Sequence, residues 1–290
     1  MTTIATPISD TDNLGLGLNT DLPADQYHAL KLASNSLLSK MLQSPAHARY
    51  AMSNPSPTTP ALKMGSAIHT AVLEPGLYDT AYYQLQHKLD RRTKAGKQQW
   101  NDLLLTYGDD YILTAEEGEL VAQVRHAVMT HPLAKALLAN REHTEASMLW
   151  RDEATGVCCR ARADAVVEFN GKRFLVDLKT TQDASPRSFE RSIFNFGYHR
   201  QAAHYLAGAE AVGIPAQGFA IIAVEKTAPY GCAVYMLEQP AVLAGDTQRM
   251  RLLERWAECE ATGEWPGYPA RAHEIGIPAW AERLIENGEL

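Results

Sequence analysis

Apolar positions change from helical to strand-like spacing along the chain, and this change outlines the fold. Helical spacing is found in 27–52, 63–73, 97–107, 115–130, 132–139, 186–196, 199–212 and 239–260. Runs rich in Val, Ile, Phe and Tyr, which are typical of strands, are 145–151, 157–168, 172–180, 218–226 and 231–237. Helices, a strand pair, two more helices and further strands in this order predict an α/β fold. Its mixed central β-sheet is expected to be flanked by helices.

Residues 1–25 show little periodicity and are rich in Thr, Asp, Asn and Gly, so we expect a flexible tail. The remainder, 26–290, is expected to form a single domain. Its helical part spans 26–140 and its β-hairpin core spans 145–240. Within the helical part, Ser34 or Ser36 is placed to cap a helix that Pro45 interrupts.

Composition and charge narrow the class of protein. Apolar residues make up 46% and charged residues 21%, which are ordinary values for a globular chain. The cysteines include no CxxC pair, which argues against a zinc site, and no long apolar run predicts a membrane span. With no signal-peptide pattern at the start, a cytoplasmic protein is expected. A net charge of −7 argues against a protein that coats nucleic acid, although a DNA path can be positive locally.

Asn170-Gly171 lies between two strand-like runs and is the strongest short-range signal for a two-residue hairpin turn. With these residues as the loop, Phe169 faces Lys172, and the other pairs follow outward along both strands. This register predicts one wholly apolar face and one face that carries the charges, as a sheet covering a single core requires.

On the charged face, the same register sets Asp164 opposite Asp177 and Arg162 opposite Lys179. Facing carboxylates about 5 Å apart destabilise a sheet, unless a hard divalent cation binds between them. Lys179 would then stabilise charge on a phosphate, which suits metal-activated phosphodiester hydrolysis and not a two-carboxylate glycosidase. The alternative is that both aspartates are surface charges neutralised by the neighbouring Arg162 and Lys179.

The strings RARAD (160–164) and VDLKTT (176–181) resemble the core of the RecB-type PD-(D/E)xK nucleases. They resemble more closely the RecE-type, exonuclease VIII-like enzymes of phages and prophages. Further segments agree in order: MGSAIH (64–69), RRTKAGKQQW (91–100), TEASMLW (144–150) and HRQAAHY (199–205). The resemblance covers roughly 26–260 and implies a restriction-endonuclease-like core. Ala163 stands where the name-giving proline would be, which is a minor departure.

The resemblance also implies roles for individual residues. Catalytic roles are assigned to Asp164, Asp177, Lys179, Glu145 and Gln201. Metal ligation is assigned to His69, Asp164, Asp177 and Leu178. DNA contacts are assigned to Arg91, Arg92, Lys94, Lys97, Tyr205 and Arg162.

Gly65, one helical turn before His69, is expected to let another backbone approach closely. The implied cofactor is Mg²⁺ or Mn²⁺. No iron–sulfur cluster is expected, because no cysteine precedes Cys158.

As a function, the resemblance implies an exodeoxyribonuclease that degrades one strand of linear duplex DNA, 5′→3′, in a bacterial host cell. It would leave 3′ single strands for a RecT/Bet-like single-strand annealing protein, and it would work as a homo-oligomeric ring. Two alternatives stay open. One is a nuclease of other polarity or with a single-strand substrate. The other is a non-catalytic DNA-binding protein that retains the fold, against which the facing acids argue.

Overall fold

A six-stranded mixed sheet organises the protein. The computed structural model describes residues 15–54 and 57–289. Its strands are β1 (Gly17–Asn19), β2 (Tyr83–Gln84), β3 (Ile112–Leu113), β4 (Arg141–Arg151), β5 (Cys158–Phe169), β6 (Lys172–Thr181), β7 (Gly218–Glu225) and β8 (Cys232–Met236). The main sheet has the order β1-β4-β5-β6-β7-β8, in which β6 and β7 are parallel and the other pairs antiparallel. The predicted α/β fold with a mixed sheet is confirmed.

The helices largely follow the predicted segments. They are α1 (Ala24–Ala29), α2 (Asn35–Gln43), α3 (Pro45–Ser53), α4 (Pro60–Leu73), α5 (Pro75–Ala81), α6 (Lys94–Tyr107), α7 (Ala115–Thr130), α8 (Pro132–Ala139), α9 (Pro186–Asn195), α10 (Tyr198–Ala211), α11 (Gln239–Thr262) and α12 (Ala279–Glu286). Ser34 caps α2 by accepting a hydrogen bond from the Leu37 N–H. The predicted interruption at Pro45 is confirmed, because proline cannot continue the hydrogen bonds of α2. Periodicity missed the short helices α5 and α12.

Helices cover both faces of the sheet, which gives two hydrophobic cores. On the first face, α10 packs against the strands and α2 and α11 pack on α10, and Leu38 and Trp256 are fully buried. On the second face, α4, α7 and α8 pack in the same way, and Ile68 and Val124 are fully buried. Burying one such side chain stabilises the fold by about 1.5–3 kcal/mol.

Asn170 and Gly171 form the predicted hairpin turn between β5 and β6. Their φ angles are 54° and 71°, and a type I′ turn requires positive φ at both positions. The predicted register is confirmed from the turn as far as Ala165 opposite Val176. Beyond this pair the β5–β6 ladder ends.

The expectation that only the apolar face of this hairpin covers a core is wrong, because the face that carries the charges is also covered. Val166 and Leu175 lie on that face, and both are fully buried in the first core. Val167 and Val176 are buried on the opposite face in the second core. Alternation of apolar and polar residues describes a sheet with one solvated face, whereas this sheet has helices on both.

The N-terminal prediction needs a partial correction. Residues 1–14 lie outside the described part of the chain, but β1 pairs antiparallel with β4, and Leu18 is opposite Met148. The flexible tail predicted through residue 25 is therefore wrong for β1 and for the start of α1. A three-residue strand gives too short a pattern to be detected, and its partner is far along the chain. Within 15–54 and 57–289, no helix has the length and apolar character needed to cross a bilayer.

Candidate metal centre and active site

Helix α4 brings His69 to the sheet. Thr59 caps the helix, Pro60 begins it, and the apolar face that includes Ile68 and Ala71 packs into the second core. His69 lies at the margin of this packed face and keeps part of its imidazole exposed. Its Nδ1 atom is 3.4 Å from Asp164 Oδ2.

Strands β4 and β5 are both irregular at the level of Asp164. Residues two apart in a strand normally share a face, yet Ala163 belongs to the first core and Ala165 to the second. The pairs on either side place Glu145 opposite Asp164, and Glu145 has a φ of 51°. Positive φ is costly for a residue with a side chain and occurs where surrounding structure enforces it. This local distortion directs both carboxylates toward His69.

His69, Glu145 and Asp164 form a group of potential metal ligands. One ligand atom from each residue lies within 4.8 Å of the others. Carboxylate oxygens suit Mg²⁺ and Mn²⁺, and an imidazole nitrogen is accepted more readily by the transition metal. The donor set therefore fits a hard divalent cation.

The electrostatics of the two acids also fit a cation. Burial, together with the nearby Asp164, raises the pKa of Glu145 to about 8. Burial and the neighbouring Asp177 raise the pKa of Asp164 to about 6, against the opposing influence of His69 and Lys179. Crowded acids of this kind gain a compensating charge when a divalent cation binds.

Asp177 lies beside this group in β6, and its two oxygens have different partners. Oδ1 accepts a hydrogen bond of 2.6 Å from the Gln201 Nε2 of α10. Oδ2 is 2.6 Å from Lys179 Nζ. The Lys179 ammonium also lies 5.0 Å from the centre of the Tyr198 ring, a cation–π distance. Burial works to lower the pKa of Lys179, but Asp177 and Asp164 raise it above its usual value, so this amine is charged.

A family model described as a PDDEXK-like domain of unknown function (DUF3799) matches residues 34–275. The chain belongs to this family. The resemblance to PD-(D/E)xK nucleases is thereby confirmed, and the family supports nuclease activity. The RecE type stays a prediction.

One solved structure shares this fold. The crystal structure named "Putative exonuclease" from Eubacterium rectale is 13% identical to this PDDEXK-like chain, with a TM-score of 0.57. The match covers 91% of this chain and 98% of that one. At this identity the likeness shows the fold alone. SSO0001 also matches, with 13% identity and coverage of 69% and 87%, but its TM-score is 0.30 and it carries no argument. No curated protein matches the chain.

Within the PDDEXK-like core, Asp164 and Asp177 are not paired across the β5–β6 ladder, so the predicted pairing is wrong. Asp164 Oδ2 accepts a 2.7 Å hydrogen bond from the Leu178 N–H, so a side chain occupies the place of a backbone acceptor. The ladder ends one pair earlier, at Ala165 and Val176. The two aspartates are nevertheless close enough for Asp177 to raise the pKa of Asp164.

Arg162 does not face Lys179, which is a second correction. It is opposite Ser147 of β4, and its Nε donates to the Ser147 hydroxyl at 2.8 Å. Its Nη2 donates to the Leu22 carbonyl at 2.7 Å, and its guanidinium lies 4.3 Å from the centre of the Tyr27 ring. Because the β5–β6 pairing ends at Ala165 and Val176, Arg162 has no partner in β6 where the turn register predicts Lys179. DNA contact by Arg162 stays a prediction, although its Nε and Nη2 already donate to partners within the protein.

Leu178, Tyr205 and Gly65 are also placed by the structure. The Leu178 side chain is fully buried, so any metal ligand from this residue would be its backbone carbonyl. Tyr205 is half-buried against the first core, where burial raises the pKa of its phenol well above 10.0. The expected close approach at Gly65 is wrong, because a Cβ there would meet nothing within 4 Å.

The predicted DNA-contacting residues of the basic segment are exposed. Arg91 lies over the Trp100 ring at 4.2 Å, whereas Arg92 is paired with Asp90 at 2.9 Å. Lys94 and Lys97 lie in the first turn of α6 and are exposed. These side chains are therefore accessible for the predicted contact with DNA.

A cavity of about 470 Å³ connects this basic segment to α4. Its lining includes basic residues (Lys63, Lys88 and Arg91) and also acids (Asp109, Glu116 and Glu117). Lys63 is six residues before His69 in α4, which is about 9 Å along the helix axis. Lys63 therefore lines the cavity on the same helix that carries His69, and its ammonium donates to the Asp109 and Ile112 carbonyls.

Two residues near the site had not been singled out from the sequence. Glu74, where α4 ends, contributes to the raised pKa of Glu145. Tyr198 begins α10 and lies against Lys179. Glu74 follows His69 by little more than one turn, and Tyr198 precedes Gln201 by less than one. Helical spacing from the recognised residues was the only signal for either.

Proposed function

We propose that this protein is a metal-dependent exodeoxyribonuclease that degrades one strand of linear duplex DNA. The observation that carries the proposal is the approach of His69, Glu145 and Asp164 to within 4.8 Å of one another. This group lies beside the Asp177–Lys179 ion pair. Membership of the PDDEXK-like family supports phosphodiester hydrolysis. The exonuclease type comes from the resemblance to RecE-type enzymes, and a structure named "Putative exonuclease" shares the fold.

The residues can be assigned complementary tasks in hydrolysis. A bound Mg²⁺ or Mn²⁺ would lower the pKa of a water molecule and offset phosphate charge. His69, Glu145 and Asp164 would hold it, with the neighbouring Asp177. Water adds to phosphorus while the phosphorus–oxygen bond to the adjoining nucleotide breaks, and that oxygen leaves with a proton.

The remaining side chains act around the phosphate. The Lys179 ammonium is charged and can donate to a phosphate oxygen as negative charge increases there. Gln201 fixes the orientation of the Asp177 carboxylate through its hydrogen bond. One such preorganised donor typically contributes about 10²–10³ in rate.

The finer features of the proposal come from the resemblance to RecE-type exonucleases. They are 5′→3′ polarity, a 3′ single-strand product for a RecT/Bet-like annealing protein, and a homo-oligomeric ring around the DNA. The exposed basic residues at 91–97 and the adjoining cavity support a duplex-binding surface near α4.

The test uses linear duplex DNA labelled at either the 5′ or the 3′ end, with a covalently closed circle of the same sequence. With Mg²⁺ or Mn²⁺, the wild-type protein should shorten the linear DNA and spare the circle, and the order of label release gives the polarity. Asp177→Asn should be inactive, whereas Asp102→Asn, a change on exposed α6, should retain activity. Equal cutting of circle and linear DNA would exclude an exonuclease. Full activity of Asp177→Asn would exclude this site.

A further inference from the structure

The turn between α9 and α10 exposes large aromatic side chains. Phe194 and Phe196 are 75% and 65% exposed. Residues of this size usually contribute to a core, and neighbouring exposed aromatic rings mark contact surfaces. The surface formed by Phe194, Phe196 and Tyr198 is called the aromatic platform below.

The backbone and neighbouring rings fix this platform in place. Gly197 has a φ of 69°, and a Cβ there would lie 2.7 Å from the Arg200 guanidinium. Phe194 stacks on His199 with ring centres 5.9 Å apart and planes at 11°. Phe196 lies 5.7 Å from Tyr198. The rings are therefore presented to solvent in a defined arrangement.

The platform is continuous with the candidate active site. Tyr198 contacts the Phe196 ring on one side and the Lys179 ammonium, at 5.0 Å, on the other. Lys179 in turn is 2.6 Å from Asp177 Oδ2. A ligand that lies on the exposed rings would thus extend directly to the charged amine and the acids.

Helix α9 adds positive charge next to the exposed rings. Arg187 and Arg191 are both exposed and stand four residues apart, and Arg191 is three residues before Phe194, so the three share one helix face. Among the described residues, neither arginine forms an ion pair with a carboxylate. Glu190, the acid of this helix, is three residues after Arg187 and four before Phe194, so it borders the same face, where the two arginines leave a net positive charge.

We propose that the aromatic platform stacks unpaired bases of the DNA strand entering the active site, while Arg187 and Arg191 bind its phosphates. The inference rests on the proposed nuclease function and assigns its substrate a second contact surface. Aromatic rings beside arginines are the chemistry by which proteins hold single strands without reading their sequence. A protein partner would be bound equally well by aliphatic side chains. Flat aromatic rings next to a lysine that is placed to contact phosphate favour a nucleic acid instead.

The experiment separates base stacking from phosphate binding. Fluorescence anisotropy in EDTA would compare a single-stranded oligonucleotide of about 16 nucleotides with an abasic strand of the same length. The wild-type protein should bind the normal strand about tenfold or more tightly than the abasic strand. In Phe194→Ala/Phe196→Ala, affinity for the normal strand should fall to that for the abasic strand, which itself should be unchanged. Arg187→Gln/Arg191→Gln should weaken both strands and reduce the salt dependence of binding.

Tyr50→Ala is the matched control, because Tyr50 is 69% exposed in α3 and lies outside the platform. This variant should bind like the wild type. Equal binding of normal and abasic strands by the wild-type protein would overturn the proposal, and so would unchanged discrimination in the double phenylalanine variant. Since no cleavage is measured, these outcomes are independent of the Asp177→Asn test. If the protein cleaves DNA but fails the binding test, only the proposal for the aromatic platform is rejected. If the protein distinguishes normal from abasic strands but does not cleave DNA, the proposed nuclease function is rejected.

Discussion

Gln201 donates a 2.6 Å hydrogen bond to Asp177 Oδ1 and thereby joins α10 to β6 inside the candidate active site. Both side chains are buried. Lys179 forms an ion pair with the other oxygen, Oδ2, so the two interactions hold the Asp177 carboxylate in one orientation. Because the donor comes from one layer of the fold and the acceptor from the sheet, the site depends on their packing.

Gln201→Ala should remove this restraint. We expect nuclease activity to fall about 10²-fold or more, as for loss of a preorganised catalytic contact. The free energy of unfolding should fall by about 1–3 kcal/mol, because a buried acceptor loses its donor. Release of acid-soluble nucleotides and urea denaturation measure the two effects. Gln239→Ala, an exposed position in α11, should change neither. Full activity in Gln201→Ala would remove this residue from the mechanism.

Glu145 should make the stability of the metal-free protein depend on pH. Its folded-state pKa is raised from 4.5 to about 8, so the folded chain binds more protons than the unfolded chain between these values. The stability that the protonated Glu145 contributes at low pH is therefore lost as the pH rises from 4.5 to about 8. In EDTA, the Tm of the wild type should fall between about pH 4.5 and about pH 8, and that of Glu145→Gln should fall less.

Divalent cation supplies the complementary measurement for Glu145. Mg²⁺ or Mn²⁺ should raise the Tm of the wild type most at the alkaline end, where both acids are ionised. Glu145→Gln should weaken this stabilisation, whereas Glu258→Gln on the exposed face of α11 should preserve it. A cation effect that is the same in wild type and Glu145→Gln would place the metal elsewhere.

Arg162→Ala distinguishes a structural role from the DNA contact that the resemblance implies. Its hydrogen bonds to Ser147 and Leu22 and its stacking on Tyr27 predict a loss of about 1–3 kcal/mol in unfolding free energy. The salt dependence of DNA binding should be unchanged. A smaller salt slope with unaltered stability would instead favour DNA contact.

Arg91→Ala/Arg92→Ala should weaken duplex DNA binding and lower its salt dependence. Each lost phosphate contact reduces the slope of log K against log salt by about 0.9. Since Arg92 is paired with Asp90, Arg91 should account for more of the change. Lys135→Ala/Lys172→Ala removes the same charge from exposed positions elsewhere and should have little effect. Equal effects of both double variants would indicate nonspecific charge loss.

Gly245→Ala tests how closely α11 must approach α10. A Cβ at Gly245 would lie 2.2 Å from the His199 carbonyl oxygen, which belongs to the backbone and cannot rotate away. We expect a loss of about 1–3 kcal/mol in stability and reduced activity, because α10 carries Gln201. Gly76→Ala, where a Cβ meets nothing within 4 Å, is the control and should be nearly neutral. An unchanged Gly245→Ala would show that α10 tolerates displacement.

The sequence predicted those parts of the fold that depend on local signals. Asn170-Gly171 specified a turn, and the register followed as far as Ala165 opposite Val176, because each pair constrains the next. Just beyond, Asp164 accepts from the Leu178 N–H and ends the ladder. That event depends on tertiary packing, so no local pattern could reveal it.

The candidate site shows the same division between local and long-range information. His69 and Gln201 were found because their segments resemble family helices. The positive φ of Glu145 had no such signal, since glutamate is not a residue that favours this conformation. The open space at Gly65 was also missed, because a glycine in a sequence does not tell which neighbours surround it.

The change of face at Asp164 has a consequence for when this protein can cut. His69 comes from the layer that packs on one side of the sheet, whereas Gln201 comes from the layer on the other. A chain that is still being synthesised has the histidine long before the glutamine, and a half-folded chain lacks one of the layers. Hydrolytic competence should therefore arise only with complete folding.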